Sequence, residues 1–165
     1  MYINDKTPSL FKNFFHLGTE LDFDNRWFKI AELITWEKID EVYGRYFSPD
    51  SGRPAIDSRL ICGLFIVKYI KNLSDEEVIK EYFENPYIQA FCGRKYFLVN
   101  DKLNVSILSE RRKRLGRDFF DYFEKEVIPI IEKQKYIKVN SPSQNKCFVC
   151  NFFEKIFSKL KNIFK

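Results

Sequence analysis

GRPAIDSRLICGLFIVKYIKNLSDEEVIKEYFENPYIQAFCG, residues 52–93, decides how the chain folds. Gly52-Arg53-Pro54 reads as a turn that Pro54 stiffens and Gly52 permits, and Asp57 or Ser58 can cap the next helix. Leu60, Ile61, Leu64, Phe65, Val67 and Tyr69 crowd that helix nearly all round, so it belongs inside a core. Ser74-Asp75-Glu76-Glu77 is a capping box opening a second helix, with Val78, Ile79, Tyr82 and Phe83 on one face and Lys80, Glu81 and Glu84 on the other. Asn85-Pro86 then serves as cap and first residue of a short third helix that Gly93 stops. Three helices with tight joints predict an all-α fold.

Upstream, Asn25 can cap a helix bearing Trp27, Phe28, Ile30, Ala31, Leu33 and Ile34. Thr35 can cap the next, in which Trp36, Ile39, Val42, Tyr43 and Tyr46-Phe47 recur at helical spacing. This pair is expected to pack on the central helices, with its tryptophans in the core. Met1 to Phe23 has no sustained period and reads as an irregular arm laid against the core by Phe11, Phe14, Phe15 and Leu17. His16, with no second ligand or carboxylate at helical spacing, is structural or exposed.

Downstream, Arg94 to Lys102 reads as a loop or short extended piece, and Asn104 or Ser106 caps a helix ended by Gly116. Asp118 opens a last long helix with Phe119, Phe120, Phe123, Val127 and Ile130-Ile131 inward, which Pro129 should kink or shorten. The expected organisation is a compact multi-helix domain with helix-turn-helix-like segments over 1–139, a linker over 140–146 around Asn140-Ser141-Pro142-Ser143, and a basic amphipathic helical tail over 147–165.

At 165 residues the chain can bury a sizeable core. Its net charge of +5 permits a polyanionic partner without demanding one. Of four cysteines only Cys147 and Cys150 form a Cys-x-x-Cys pair, which is short of a zinc site, and Cys62 and Cys92 read as buried free thiols. There is no secretory signal, and the longest wholly apolar interior run, Leu64 to Val67, is far too short to span a bilayer, so a cytoplasmic location is expected. No cofactor is implied.

The charge concentrates between Arg94 and Arg117. There Arg94, Lys95, Lys102, Arg111, Arg112, Lys113, Arg114 and Arg117 face only Asp101 and Glu110, a balance of +6 that accounts for the whole net charge. Within this stretch Ile107, Leu108 and Leu115 make the inner stripe of a helix, while Ser106, Ser109, Arg112, Lys113 and, just past its end, Arg117 project elsewhere. Hydroxyls near the start and guanidinium groups beyond are what a DNA-recognition helix uses, although an isolated run of this kind also describes a solvated helix face. Arg53, held between glycine and proline, is either a turn residue feeding the central helix or a side chain entering an AT-rich minor groove.

Gly52 to Leu60, Lys68-Tyr69, Leu73 to Glu77 and Glu84 to Gly93, taken in order, resemble the N-terminal domain of bacterial insertion-sequence transposases of the InsH-like type. The similarity continues through Ser106 to Arg117 and fades after about Tyr136. It implies a helical domain that binds double-stranded DNA at the ends of the element, the terminal inverted repeats, and that precedes an RNase-H-like domain with an Asp-Asp-Glu metal site. The family's Ser-rich helix ending in Arg-x-Arg-Leu-Gly corresponds to Ser106 through Arg112-Lys113-Arg114-Leu115-Gly116, so the resemblance favours DNA contact by Ser106, Ser109, Arg112 and Lys113, and Arg117, Lys102 of the basic stretch and Arg53 of the turn complete the candidate contacts. Two residues depart from the pattern. Arg111 stands where the family usually has an inward aromatic, so it must snorkel or find an acidic partner, and Glu110 stands where a basic residue is common and would repel phosphate.

No catalytic site emerges from the chain. Strand transfer needs carboxylates gathered by a sheet to hold two divalent ions, whereas Asp75-Glu76-Glu77 and Glu124-Lys125-Glu126 read as acids on helix exteriors. The expectation is therefore a DNA-binding transposase fragment truncated before its catalytic domain, with no enzymatic activity and with dimerisation left open. The alternative is a protein-interaction module or nonfunctional remnant. For the tail, with Phe148, Phe152, Phe153, Ile156, Phe157, Leu160, Ile163 and Phe164 on one stripe, three origins stand: a membrane-surface helix, an ordinary docking or partner-binding helix, or translation past a frameshift, which the loss of resemblance before it favours.

Overall fold

The computed structural model describes residues 21–48, 55–98 and 103–133, and these are helical. In chain order the elements are α1 (Arg26–Leu33), α2 (Trp36–Gly44), α3 (Ser58–Lys71), α4 (Asp75–Glu84), α5 (Pro86–Phe91), α6 (Ile107–Arg114), α7 (Arg117–Tyr122), a π-helical turn (Phe123–Val127) and α8 (Ile128–Glu132). The all-α expectation is met. The arm before residue 21, the Gly52-Arg53-Pro54 turn, the linker and the tail lie outside the described residues.

α3 is the axis of the molecule. Leu60, Ile61, Cys62, Gly63, Leu64, Ile66, Val67 and Ile70 are buried on every side of it, because α2, α4 and α6 all pack around it. Its start is fixed by Asp57, whose carboxylate accepts the Arg59 N–H at 2.8 Å, which leaves Ser58 to donate to Asp40 Oδ1 at 2.6 Å and join α3 to α2. Its end is fixed by Asn72 in the left-handed conformation at φ 53°, which asparagine tolerates. Gly63 lets α5 close in: a Cβ there would sit 2.8 Å from Cys92 Sγ. Cys62 and Cys92 are both buried and free, and burial pushes both thiols up.

The capping box is present in full, with Glu77 N–H donating to Ser74 Oγ at 3.1 Å and Ser74 N–H donating to Glu77 Oε2 at 2.7 Å. Asn85 closes α4 through its own N–H and opens α5 through its side chain, which accepts from Tyr87 N–H at 3.0 Å. Gly93 stops α5 at φ +87°, where a side chain would also strike Arg59. Phe91 is fully buried between Trp27 and Trp36, with ring centroids 5.2 and 5.5 Å away, and burial of a side chain this size is worth roughly 1.5–3 kcal/mol. Trp27 is thus a core residue, and Trp36 packs half-buried against the core with its indole donating to Ala31 O at 2.9 Å.

Two expectations are refined. The last long helix is present without a break over 117–132 as α7, the π turn and α8, and the distortion expected from Pro129 takes the form of that widened turn. Pro129 has no N–H to return to the preceding turn, and the widened turn ahead of it accommodates that loss. The extra residue rotates α8 relative to α7, so Ile128 joins Ile131 in the core while Ile130 is only half-buried. Gly116 does not end α6 by left-handed geometry either, since its φ is −72°. Its value is space: a Cβ would lie 3.1 Å from the Tyr46 ring.

Candidate nucleic-acid interface

α6 holds the densest part of the basic stretch. Ile107, Leu108 and Leu115 are buried, as the inner stripe requires. Of the two candidate caps, Asn104 does the work at the start, its side chain accepting the Ser106 N–H at 3.2 Å. Ser106 occupies the cap position but turns its hydroxyl to Glu110 Oε1 at 2.6 Å, and the Ser109 hydroxyl donates to Ser106 O at 2.7 Å. Glu110 is therefore exposed but accepts the Ser106 hydroxyl within its own helix.

Most of the arginines on α6 build the fold. Arg112 lies on the flank facing α4 and forks onto Asp75, Nη1 to Oδ1 at 3.1 Å and Nη2 to Oδ2. Lys68 of α3 reaches the same carboxylate, Nζ to Oδ1 at 3.1 Å, and also donates to Leu73 O at 2.7 Å. The side chains of Lys68, Arg112 and Asp75 are only 9%, 10% and 23% exposed, so this is a largely buried cluster. Burial would raise the Asp75 pKa, but the hydrogen bonds from Arg112 and Lys68 and their charges outweigh it and hold it below the usual carboxylate range. Arg114 on the opposite flank and Arg111 within the inner stripe lie over the ring of buried Phe47, their Cζ atoms 4.3 and 5.3 Å from its centroid, and Arg114 Nε donates to Tyr46 O at 3.3 Å. Arg111 has thus found an aromatic face rather than an acid, and its buried Nε has no hydrogen-bond partner.

Between those flanks lies the outward strip of α6. At 100° per residue Ser106, Ser109, Glu110 and Lys113 fall together on it. Lys113 and Arg114 are exposed, as is Arg117 at the start of α7, whose Nε stands 3.9 Å from Asp121. The structure thus brings Ser106, Ser109 and Lys113 onto one face with Arg117 beyond its end. It turns Arg112 away from that face, against the expected outward projection, because the half-buried Asp75 carboxylate offers it a forked pair. Arg53 and Lys102 lie outside the described residues.

Sequence reasoning missed Asp75, Lys68, Phe47 and Tyr46 as the groups that seat this helix, and it placed Asp75 on an exterior. One signal was available: Lys68 is the lone charge within the apolar run Leu64 to Ile70, and such a charge needs a buried partner. Gln89 was missed as well. Fully buried, it donates from Nε2 to Leu98 O at 2.8 Å and accepts Leu98 N–H at 2.7 Å, pinning the segment that leads from α5 toward α6.

Among the described residues no group of three His, Cys, Asp or Glu side chains is placed to hold a metal ion, and no helix is long and apolar enough to cross a membrane. The chain is similar to an uncharacterized protein, ORF8 in the nfe locus of Rhizobium meliloti, at 41% identity over 88 residues, which are 53% of this chain and 42% of that protein. It therefore spans less than half the length of that relative. No solved structure matches it. Residues 15–114 match the family model described as a transposase domain (DUF772), a stretch that runs from before α1 to the last residue of α6, and the chain belongs to that family.

Proposed function

We propose that this chain is the DNA-binding part of an InsH-like insertion-sequence transposase and that it recognises the terminal inverted repeats of its element on double-stranded DNA in the bacterial cytoplasm. The observation that carries the reading is the outward strip of α6, which lies inside the matched stretch and gathers Ser106, Ser109 and Lys113 with exposed Arg117 beyond its end. Lys113 and Arg117 would lie along phosphates and fix register. The serine hydroxyls, now satisfied within the helix, can rotate to phosphate or base-edge acceptors at little cost. The reading gives this chain recognition and leaves strand transfer to a carboxylate domain, so the isolated chain binds without cutting in either magnesium or manganese.

Fluorescence anisotropy near physiological salt tests it. The wild-type chain should prefer an end-repeat duplex over a scrambled one, and Ser106→Ala or Ser109→Ala should erode that preference more than total affinity. Equal binding to both duplexes would contradict the reading, as would metal-dependent cleavage that survives purification.

A further inference from the structure

α6 meets the rest of the molecule along three lines, and only two of them are directional. Its buried stripe of Ile107, Leu108 and Leu115 is apolar, and it sets which face of the helix turns inward through an attraction that has no direction of its own. Directional contacts stand on the two flanks. One is the fork of Arg112 on Asp75, and the other is Arg114 over Phe47 with its Nε on Tyr46 O. Asp75 is a fixed post. It is the first residue of α4, next to Ser74 of the completed capping box, and Lys68 of α3 shares its Oδ1 with Arg112, so one carboxylate ties α3, α4 and α6 together.

We propose that Arg112 is a positioning residue and not a DNA contact: through its fork on Asp75 it sets the roll of α6 about its own axis, and hence which side chains face the duplex. The proposal rests on α6 being the recognition element. A phosphate could not engage a side chain only 10% exposed without drawing it off Asp75, which would leave a carboxylate facing DNA. Fork geometry is what a rotational stop needs, since two parallel N–H···O bonds fix an orientation and a point charge does not.

The two roles predict opposite behaviour for the same variants. Anisotropy titrations over a range of salt, with end-repeat and scrambled duplexes, would compare Arg112→Lys, Arg112→Met, Asp75→Asn and Lys113→Ala. As a positioning residue, Arg112 cannot be replaced by lysine. Arg112→Lys and Arg112→Met should both lose about tenfold in discrimination, the size of one misplaced base contact, with the salt slope unchanged. Asp75→Asn should weaken specific binding in the same way, although it removes a negative charge. Lys113→Ala, in contrast, should lower the log–log slope by about one. The proposal is overturned if Arg112→Lys binds as wild type, Arg112→Met lowers the slope by about one, and Asp75→Asn binds unchanged or more tightly.

If the wild-type chain shows no preference for end repeats, the recognition reading fails, and the Arg112–Asp75 fork is then judged without DNA. Arg112→Met keeps the Lys68–Asp75 pair and so a folded core. It should speed amide exchange across residues 109–114 by about tenfold while α3 stays protected. Unchanged exchange in α6 would overturn the positioning role of Arg112.

Discussion

The joint from Asn72 to Gly93 and the helix α6 are both dense in polar residues, yet those residues find their partners at very different distances along the chain. In the joint, Ser74, Glu77 and Asn85 satisfy backbone groups two or three residues away, so each cap is complete as soon as its own turn forms. In α6, Arg112 finds Asp75 from 37 residues away and Arg114 finds Tyr46 O from 68. Local caps specify where helices start and stop, whereas distant partners specify how a finished helix sits. A helix seated by distant partners can be re-aimed by a change far from its own surface, and that makes α3 and α4 part of the machinery that presents α6.

The strongest way to break this contrast is Asp75→Ala, which would leave Lys68 and Arg112 buried together without their anion. Removing one side of a buried pair in this manner costs about 3–5 kcal/mol, to be read from urea unfolding, and a loss near that of an ordinary surface change would show that the post is dispensable. The same carboxylate sets an acid dependence. Its folded pKa lies below the unfolded value of about 3.9, so its contribution is complete above that value and disappears as pH falls through the folded one. Asp75→Asn should therefore flatten the decline in stability below about pH 4.

Gln89→Leu sharpens the comparison from the other end, because it strips two backbone partners at Leu98 at once while keeping volume. Leaving buried groups unsatisfied should cost about 2–4 kcal/mol, measured the same way, and a neutral result would mean that water replaces the amide. Ser74→Ala removes one local cap and should cost about 1 kcal/mol in thermal unfolding, less than the distant pair. The smallest effect belongs to Lys113→Ala, which has no partner among the described residues. It should change stability by under about 0.5 kcal/mol, and a larger loss would put Lys113 with the builders.

Much of the fold was legible because its signals are local. Asn25, Asp57, the Ser74–Glu77 box, Asn85 and Gly93 each cap or stop the helix the sequence assigned to them, and the all-apolar surround of α3 marked it as the axis. The π turn was not legible, because Pro129 announces a break without saying whether the chain kinks or widens. The site was legible as a stretch and not as an arrangement. Charge counting found the basic run, but it could not tell Lys113, which is exposed, from Arg112, which is turned to Asp75, because that choice is made by a residue on another helix. Arg111 shows the same limit: an acid was one expectation, and Phe47 supplied a ring.

The central claim is that the outward strip of α6 faces DNA, and site-specific photocrosslinking reads it most directly. A photoreactive benzophenone side chain would be placed at Lys113 and, in a second protein, at Leu33 on α1, which is 39% exposed. The account predicts crosslinks to end-repeat duplex from position 113, fewer to a scrambled duplex, and essentially none from position 33. Crosslinking from position 33 that equals or exceeds that from position 113 would contradict it.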